Sequence, residues 1–295
     1  MARDWENTFR TWARPPGQTE QDRCENAVRA IRNALNNSTA LQNRNCTVFL
    51  QGSYRNNTNV RQDSDVDVGI LCTDTFFMNL PEGYSREQFN ISPATYEYAT
   101  FKNDVQRALE SYFGAGAVTR GNKAFDIKAN TYRVEADVAP FFEHRRYSAN
   151  GTYLSGVELQ GDNGIRVINW PEQHYSNGVN KNNTTSRRYK GIVRILKSLS
   201  VEMGDNSNQT AKNIAGFLLE CLGWNVPNDH FGHDGYCADV RASLAFLFNN
   251  TRTDDVCSEW GEVSDLKYLF RGGQKWTRQQ AHDFTSAAWD YVGFD

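Results

Sequence analysis

The chain has no excess of positive charge. Its 32 Lys and Arg stand against 35 Asp and Glu, for a formal net charge of −3 at pH 7. A duplex-coating protein carries a strong basic surplus, so wholesale nucleic-acid binding is excluded. A local basic patch for a small phosphorylated molecule is not. No run approaches the roughly 18 apolar residues of a membrane span. The start, MARDWENTF, is charged and has no apolar stretch of the kind a secretion signal needs. A cytoplasmic protein without a membrane partner is the expectation. Cysteine is present but not clustered: Cys24, Cys46, Cys72, Cys221, Cys237 and Cys257 form no CxxC and no Cys/His group. They read as reduced, mostly buried thiols rather than a disulfide framework or zinc site. There is no GxxxxGKS or GxxxxGKT phosphate loop, no GxGxxG turn, no HExxH and no GxSxG. His174, His230 and His233 are few and scattered, and read as ordinary polar residues.

What is there describes a globular chain. Hydrophobic residues make up 39% and aromatic residues 13% of 295 positions, enough for one large or two modest domains. Helical spacing of Cys24, Ala27, Val28, Ile31 and Leu35 predicts a helix over 19–36, started by Thr19 and Asp22 in a capping-box-like pattern. Pro81, Gly83 and Pro93 predict an irregular stretch over 73–97. Phe101, Val105, Leu109 and Phe113 mark a second helix, stopped at Gly114. Residues 123–129 and 132–140 read as paired strands around Asn130-Thr131. A mixed connection follows from Gly151 to Pro171, and beyond it the pattern predicts helices over 184–202, 208–223, 234–249 and 277–292.

The chemistry concentrates between Cys46 and Leu71: an apolar strand, Gly52-Ser53, eleven further residues, then Asp65-Val66-Asp67 opening a second apolar strand. Strand side chains alternate, so Asp65 and Asp67 share a face about 6–7 Å apart, while Val66, Val68 and Ile70 take the buried face. Paired carboxylates repel and are costly to desolvate unless a cation sits between them. Their spacing suits a pair of divalent ions holding a nucleophilic oxygen and a triphosphate. Gly52 lets a phosphate approach the backbone, and Ser53 adds a hydroxyl and a main-chain N–H. Asp137 lies on the Arg133, Glu135 and Asp137 face of its strand and is the expected third ligand, with Glu135 the alternative. On 184–202, Arg187, Lys190, Arg194 and Lys197 form a basic stripe opposite Ile192, Ile195, Leu196 and Leu199. Such a stripe is either a solvated face or counter-charge for a phosphate.

Gly-Ser, eleven residues and Asp-x-Asp resemble the core of the polymerase-beta-like nucleotidyltransferases. QGSYRNNTNVRQDSDVDVGI further resembles the catalytic stretch of the bacterial CD-NTases, relatives of cyclic GMP-AMP synthase and oligoadenylate synthase. INWPEQHYSNGVNKNNTTSRRYKGIVRILKSL and FLLECLGWNVP resemble the same family's hinge, phosphate-binding helix and following helix. The resemblance implies an α+β, two-lobed fold: a mixed-sheet nucleotidyltransferase core at 1–168 with a long N-terminal helix as brace, and an α-helical, oligoadenylate-synthase-like lobe at 169–295. It implies cyclic di- or oligonucleotide synthesis from NTPs (ATP, UTP or GTP) in anti-phage (CBASS) signalling, with a downstream effector reading the product. It implies two Mg²⁺ ions, with Mn²⁺ the alternative, on Asp65, Asp67 and Asp137. Gln51, Gly52, Ser53, Lys190, Arg194 and Lys197 would bind nucleotide or phosphate. The chain lacks the Cys/His insertion of the animal DNA sensor, so no DNA activator is expected, and a monomer is.

Asn169, before Trp170-Pro171, resembles the branch of the family that makes uridine-containing cyclic dinucleotides. An amide can both donate to and accept from a pyrimidine edge; the other role open to it is shaping the turn before Pro171. The alternative activity is template-independent nucleotidyl transfer to an RNA end, a protein or a small molecule. A third reading, a nucleotide sensor without catalysis, has no need of three mutually repelling aspartates.

Overall fold

In a computed structural model, residues 3–15, 17–60, 65–130 and 135–294 are described. The expected turn residue Thr131 and the strand positions Tyr132, Arg133 and Val134 lie outside them. Among the described residues the chain forms eleven α-helices and seven strands. In order, the first half holds α1 (Trp5–Trp12), α2 (Gln18–Asn36), β1 (Cys46–Leu50), α3 (Gly52–Asn56), β2 (Val66–Asn79), α4 (Tyr98–Phe113), β3 (Val118–Arg120), β4 (Phe125–Ile127) and β5 (Ala136–Tyr147). Then follow β6 (Tyr153–Gln160), β7 (Arg166–Asn169), α5 (Pro171–Thr184), α6 (Tyr189–Asp205) and α7 (Gln209–Lys212). The last are α8 (Gly216–Asn225), α9 (Tyr236–Asn250), α10 (Asp254–Cys257) and α11 (Arg278–Val292). No helix among the described residues is long and apolar enough to cross a membrane.

The chain separates into two compact units. One gathers Gly17–Tyr54 and Arg61–Pro171, the other Met1–Pro16, Arg55–Val60 and Glu172–Asp295. The expected division at 168/169 falls close to the crossing at Pro171, but residues 1–16 and 55–60 cluster with the C-terminal helices. Phe9 and Ala13 show why for the first segment: both are buried in the helical core. The N-terminal helical region is accordingly two helices, α1 in the helical unit and α2 in the sheet unit.

The sheet unit is built on a mixed sheet in the order β1-β2-β5-β4-β3, with β6 also paired to β5 and β7 paired to β6. Val66, Val68 and Ile70 on β2 and Ala136 and Val138 on β5 are buried, as period-2 alternation requires. They pack with Ile31 and Leu35 of α2 and with Phe101, Val105 and Leu109 of α4 in one core. Phe101 stacks on Phe142 of β5 with ring centroids 5.2 Å apart. Two expectations change here. Residues 73–79 are strand, because β2 crosses a register shift between Cys72 and Phe76 and goes on pairing with β5; the shift interrupts the alternation that would have announced it. The 151–171 connection contains β6 and β7, whose pattern is disguised by Glu158, a fully buried carboxylate satisfied by His144 and Arg166. The predicted Thr19 cap is also replaced: Gly17 is the N-cap of α2, and Gln18 donates to Asp22 at 2.8 Å.

The helical unit is organised by α6. Ile192, Ile195, Leu196 and Leu199 are wholly buried, packed with Leu218 and Leu222 of α8, Leu244 of α9 and Phe284 of α11. The predicted helix over 184–202 is α6, which starts only at Tyr189; α5 ends at Thr184, at the edge of the predicted span, and between the two Ser186 and Arg187 take positive φ angles of 51° and 64°. Arg187 therefore leaves the stripe to which helical spacing assigned it. The 208–223 prediction divides into α7, capped by Asn208 accepting from the Ala211 N–H at 3.0 Å, and α8.

Candidate active site

The acidic residues of the sheet unit come together through strand register. β2 and β5 run parallel with Asp67 opposite Asp137, and Asp65 immediately precedes β2. Asp67 and Asp137 are half-buried and Asp65 is exposed. β1 returns antiparallel beside β2, and the Gln51 N–H donates to the Asp67 carbonyl at 2.9 Å. The next residue, Gly52, has φ +64°, and a Cβ built on it would lie 2.0 Å from Asp67 Oδ2. Any side chain there would occupy the space of the carboxylate, so glycine is required twice over, by conformation and by proximity. Ser53, half-buried, follows on α3.

A fourth carboxylate completes the group, and the sequence reading missed it. β4 pairs antiparallel with β5, setting Asp126 directly opposite Asp137. Asp126 sits between buried Phe125 and Ile127 and so points to the other face; that three-residue alternation is the only signal it leaves. The Asp137 carboxyl is pushed up to about 6, by burial first, then by its hydrogen bond to Asp126 and the negative charges of Asp126, Asp65 and Asp67. Among the described residues no three His, Cys, Asp or Glu side chains are drawn into a finished metal cage. The donor set is carboxylate oxygen throughout, which suits Mg²⁺ or Mn²⁺ rather than a metal preferring nitrogen or sulfur.

The basic stripe of α6 divides into one half-exposed residue and two buried ones. Lys190 is half-buried, with Nζ 5.6 Å from the Tyr175 ring centroid, and burial lowers its ammonium below the ordinary lysine range. Arg55 approaches the same ring at 5.1 Å and pairs with Glu172 at 2.6 Å. Arg194 is 6% exposed; its guanidinium donates to the Ala13 carbonyl at 2.9 Å and to the Asn57 carbonyl. Lys197 is 7% exposed and donates to Glu220 Oε2 at 3.0 Å and to Thr58 Oγ1 at 3.2 Å. Glu220 also accepts from the Thr58 hydroxyl at 2.8 Å and from His174 Nε2 at 2.9 Å. Burial alone would raise the Glu220 carboxyl, but Lys197, His174 and Thr58 hold it well below the usual carboxylate range. Arg194 and Lys197 are thus engaged by internal partners that anchor residues 57 and 58, just after the Gly52-Ser53 turn. His174, expected to be an ordinary polar residue, is one of these anchors.

Asn169 ends β7, paired with Val157 of β6. Its carbonyl lies 2.8 Å from the position a Cβ on Gly156 would take, and the Trp170 ring is closer still at 2.6 Å. Trp170 is 5% exposed, meets the His144 ring edge-on at 5.5 Å and lies under Arg146 at 4.7 Å. The backbone at Asn169 is therefore held by close packing, with the side chain half-buried at the strand end.

Comparison with known proteins identifies the family. Residues 176–293 match the model of the cGAS/DncV-like nucleotidyltransferase C-terminal helical domain. The chain is 42% identical to a cyclic dipyrimidine nucleotide synthase of Cecembia lonarensis, over 100% of both chains. It superimposes on a c-UMP-AMP synthase of Rhodothermus marinus, solved with Apcpp and Upnpp, with a TM-score of 0.85 and 29% identity, covering 98% of this chain and 97% of that one. A cyclic dinucleotide synthase of Elizabethkingia meningoseptica, solved with GTP and Apcpp, superimposes with a TM-score of 0.82 and 35% identity, over 98% and 99%.

Proposed function

This chain belongs to the cGAS/DncV-like nucleotidyltransferases, and from that premise we propose that it joins NTPs into a cyclic dinucleotide containing uridine, a second messenger for anti-phage (CBASS) signalling that a downstream effector reads. The observation that carries the reading is the parallel register of Asp67 with Asp137, together with Gly52 lying against the Asp67 carboxylate. Asp65, Asp67 and Asp137 are the residues that would hold two divalent ions, Mg²⁺ or Mn²⁺. When bound, the ions would acidify an acceptor ribose hydroxyl and neutralise the triphosphate.

The chain's own residues do the rest. Gly52 leaves backbone space for a phosphate, and Ser53 offers it a hydroxyl and an N–H. Lys190 supplies a point charge to the triphosphate, strengthened by its partial burial. Arg194 and Lys197 act one step removed, fixing Asn57 and Thr58. Asp137, its carboxyl pushed up to about 6 by burial and by its acidic neighbours, would return to the charged form when a cation binds beside it. The linear first product must bind again with its ends exchanged, so that its second hydroxyl attacks and closes the ring.

Asn169 supports uridine. A uracil edge alternates acceptor, donor and acceptor, which one amide can meet at two positions and one hydroxyl cannot. The test is competition among all four NTPs with Mg²⁺, the products digested and counted by base. Wild type should give a cyclic product with uridine in at least one position. Asn169→Ser should shift incorporation towards purines by about ten- to a hundredfold, the effect of about 1–3 kcal/mol for an unpaired polar edge. Purine-only products from wild type would remove Asn169 from base choice. Tailing of an added RNA without any cyclic product would overturn the synthase reading itself.

A further inference from the structure

Two of the six free thiols face each other directly. β1 and β2 are antiparallel neighbours with Cys46 opposite Cys72. The Thr73 N–H donates to the Asn45 carbonyl at 3.0 Å, so Asn45 and Thr73 form the hydrogen-bonded pair. Cys46 and Cys72 then occupy the adjacent non-hydrogen-bonded position. There Cα atoms stand about 4.5 Å apart and side chains are at their closest, inside the roughly 4.4–6.8 Å that a disulfide spans. The register sets the two side chains against each other. They differ in access. Cys72 is fully buried, whereas Cys46 is half-buried and lines a surface pocket of about 230 Å³ with Arg32, Gln42 and Arg44. In the strand order β1 stands at one end of the sheet, paired with β2. A covalent tie here would keep that end strand from peeling off the strand that carries Asp67.

We propose that Cys46 and Cys72 are a thiol-disulfide exchange site, oxidised by a low-molecular-weight disulfide to a bond linking β1 and β2. The hydrogen bond from Cys46 lowers the Cys72 thiol below its ordinary value, while the Cys46 thiol is raised, by that hydrogen bond first and by burial next. The pair thus loses its first proton readily and its second with difficulty. Moving the remaining proton along the hydrogen bond puts the thiolate on Cys46, the sulfur reached from the pocket. Cys46 attacks one sulfur of the small disulfide; that S–S bond breaks, and one thiolate leaves and takes a proton from water. Cys72 then gives up its proton to solvent and attacks the Cys46 sulfur, expelling the second small thiolate, which is protonated in turn. Each cysteine has lost one electron, and the small disulfide has become two thiols. The second step is internal, so Cys72 needs no path of its own to the small disulfide.

The test uses the full-length wild-type chain with hydroxyethyl disulfide, followed by alkylation, intact mass and peptide mapping. The expected product has four alkylatable thiols instead of six, a mass lower by two hydrogens, and one cross-linked peptide pair joining Cys46 to Cys72. In Cys72→Ala the reaction should stop at a mixed disulfide on Cys46. A stable mixed disulfide on wild-type Cys46, a bond between any other two cysteines, or six thiols surviving would each overturn the proposal. None of these results depends on nucleotide chemistry, so they stand apart from the synthase reading.

Discussion

Two clusters of charge sit in this molecule, and they are built on opposite principles. The helical unit buries Lys197, Glu220, His174 and Thr58 as a closed set in which Glu220 meets a cation, a ring nitrogen and a hydroxyl. The sheet unit collects Asp65, Asp67, Asp137 and Asp126 along one set of strands, where burial and the neighbouring carboxylates raise the Asp137 carboxyl. In the first, desolvation is offset from within, and the result is a fixed scaffold. In the second, like charges face one another and raise a carboxyl, the arrangement that a bound cation would relieve. Carboxylates therefore do not announce their role by being buried or clustered; the sign of what faces them does.

The largest effect should come from removing two of these like charges. Asp65→Asn with Asp67→Asn should lower product formation by at least about a thousandfold, because cation-assisted charge stabilisation is worth several kcal/mol and each 1.36 kcal/mol is tenfold. Thermal stability of the metal-free chain should hold or rise, since like charges leave one strand face. Appreciable activity in the double variant would mean that the acidic cluster is not the metal site, and the comparison would fail on its functional side.

Breaking the balanced cluster should do the reverse, harming the fold more than the chemistry. Glu220→Gln leaves the Lys197 ammonium buried without its counter-charge and should cost about 3–5 kcal/mol in denaturant unfolding. Adding Lys197→Met, which removes both charges, should be milder than the sum of the single changes. The pH dependence has a definite sign. The Glu220 carboxyl is depressed in the folded state, so its contribution is present above its ordinary value of 4.5 and is lost as pH falls below it. A Glu220→Gln variant as stable as wild type at neutral pH would reduce the cluster to an ordinary buried polar contact.

The contrast also explains what could be read in the sequence. Asp65 and Asp67 were legible because their chemistry is local: two positions on one strand, with apolar residues alternating between them. Asp137 was legible once a neighbouring strand was inferred. Asp126 was not: the pattern pairs a strand over 123–129 with one over 132–140, but β4 is only three residues long, and the register that sets Asp126 opposite Asp137 does not follow from the pattern. The α6 stripe was half legible. Spacing put Lys190, Arg194 and Lys197 on one side of a helix, but whether that side met solvent depended on Glu220 and on Thr58, which lies 139 positions from Lys197. The helix α5 was hidden by its composition: NGVNKNNT is rich in asparagine and glycine, poor helix formers whose placement here depends on tertiary packing, with Gly178 and His174 buried.

Lys190 tests how far the balanced cluster extends along α6, since it shares that helix with Lys197 but remains half-exposed. Lys190→Ala should weaken NTP binding by about 1.5–3 kcal/mol, roughly ten- to a hundredfold in Kd, with the fold unchanged. The loss should be larger for a triphosphate than for the matching nucleoside. Equal losses, or none, would assign Lys190 to the solvated side of α6.

The smallest effect carries the clearest sign. Asp137 is pushed up to about 6 from an ordinary 3.8, the opposite direction to Glu220. A raised carboxyl imposes no penalty below its ordinary value, where both folded and unfolded chains hold the proton. The penalty grows as pH rises through the window from 3.8 to about 6, and is complete above it. Asp137→Asn removes that penalty. In the metal-free chain it should match wild type near the bottom of the window and be more stable at neutral pH, by about 1 kcal/mol once solvent screening is allowed for. Saturating Mg²⁺ should reverse the order, because a cation bound only by the folded wild type stabilises it by mass action. Thermal unfolding across pH, with and without Mg²⁺, measures both signs in one series. An Asp137→Asn chain less stable than wild type without metal would mean that the acidic residues are compensated after all, and the two clusters would no longer differ in kind.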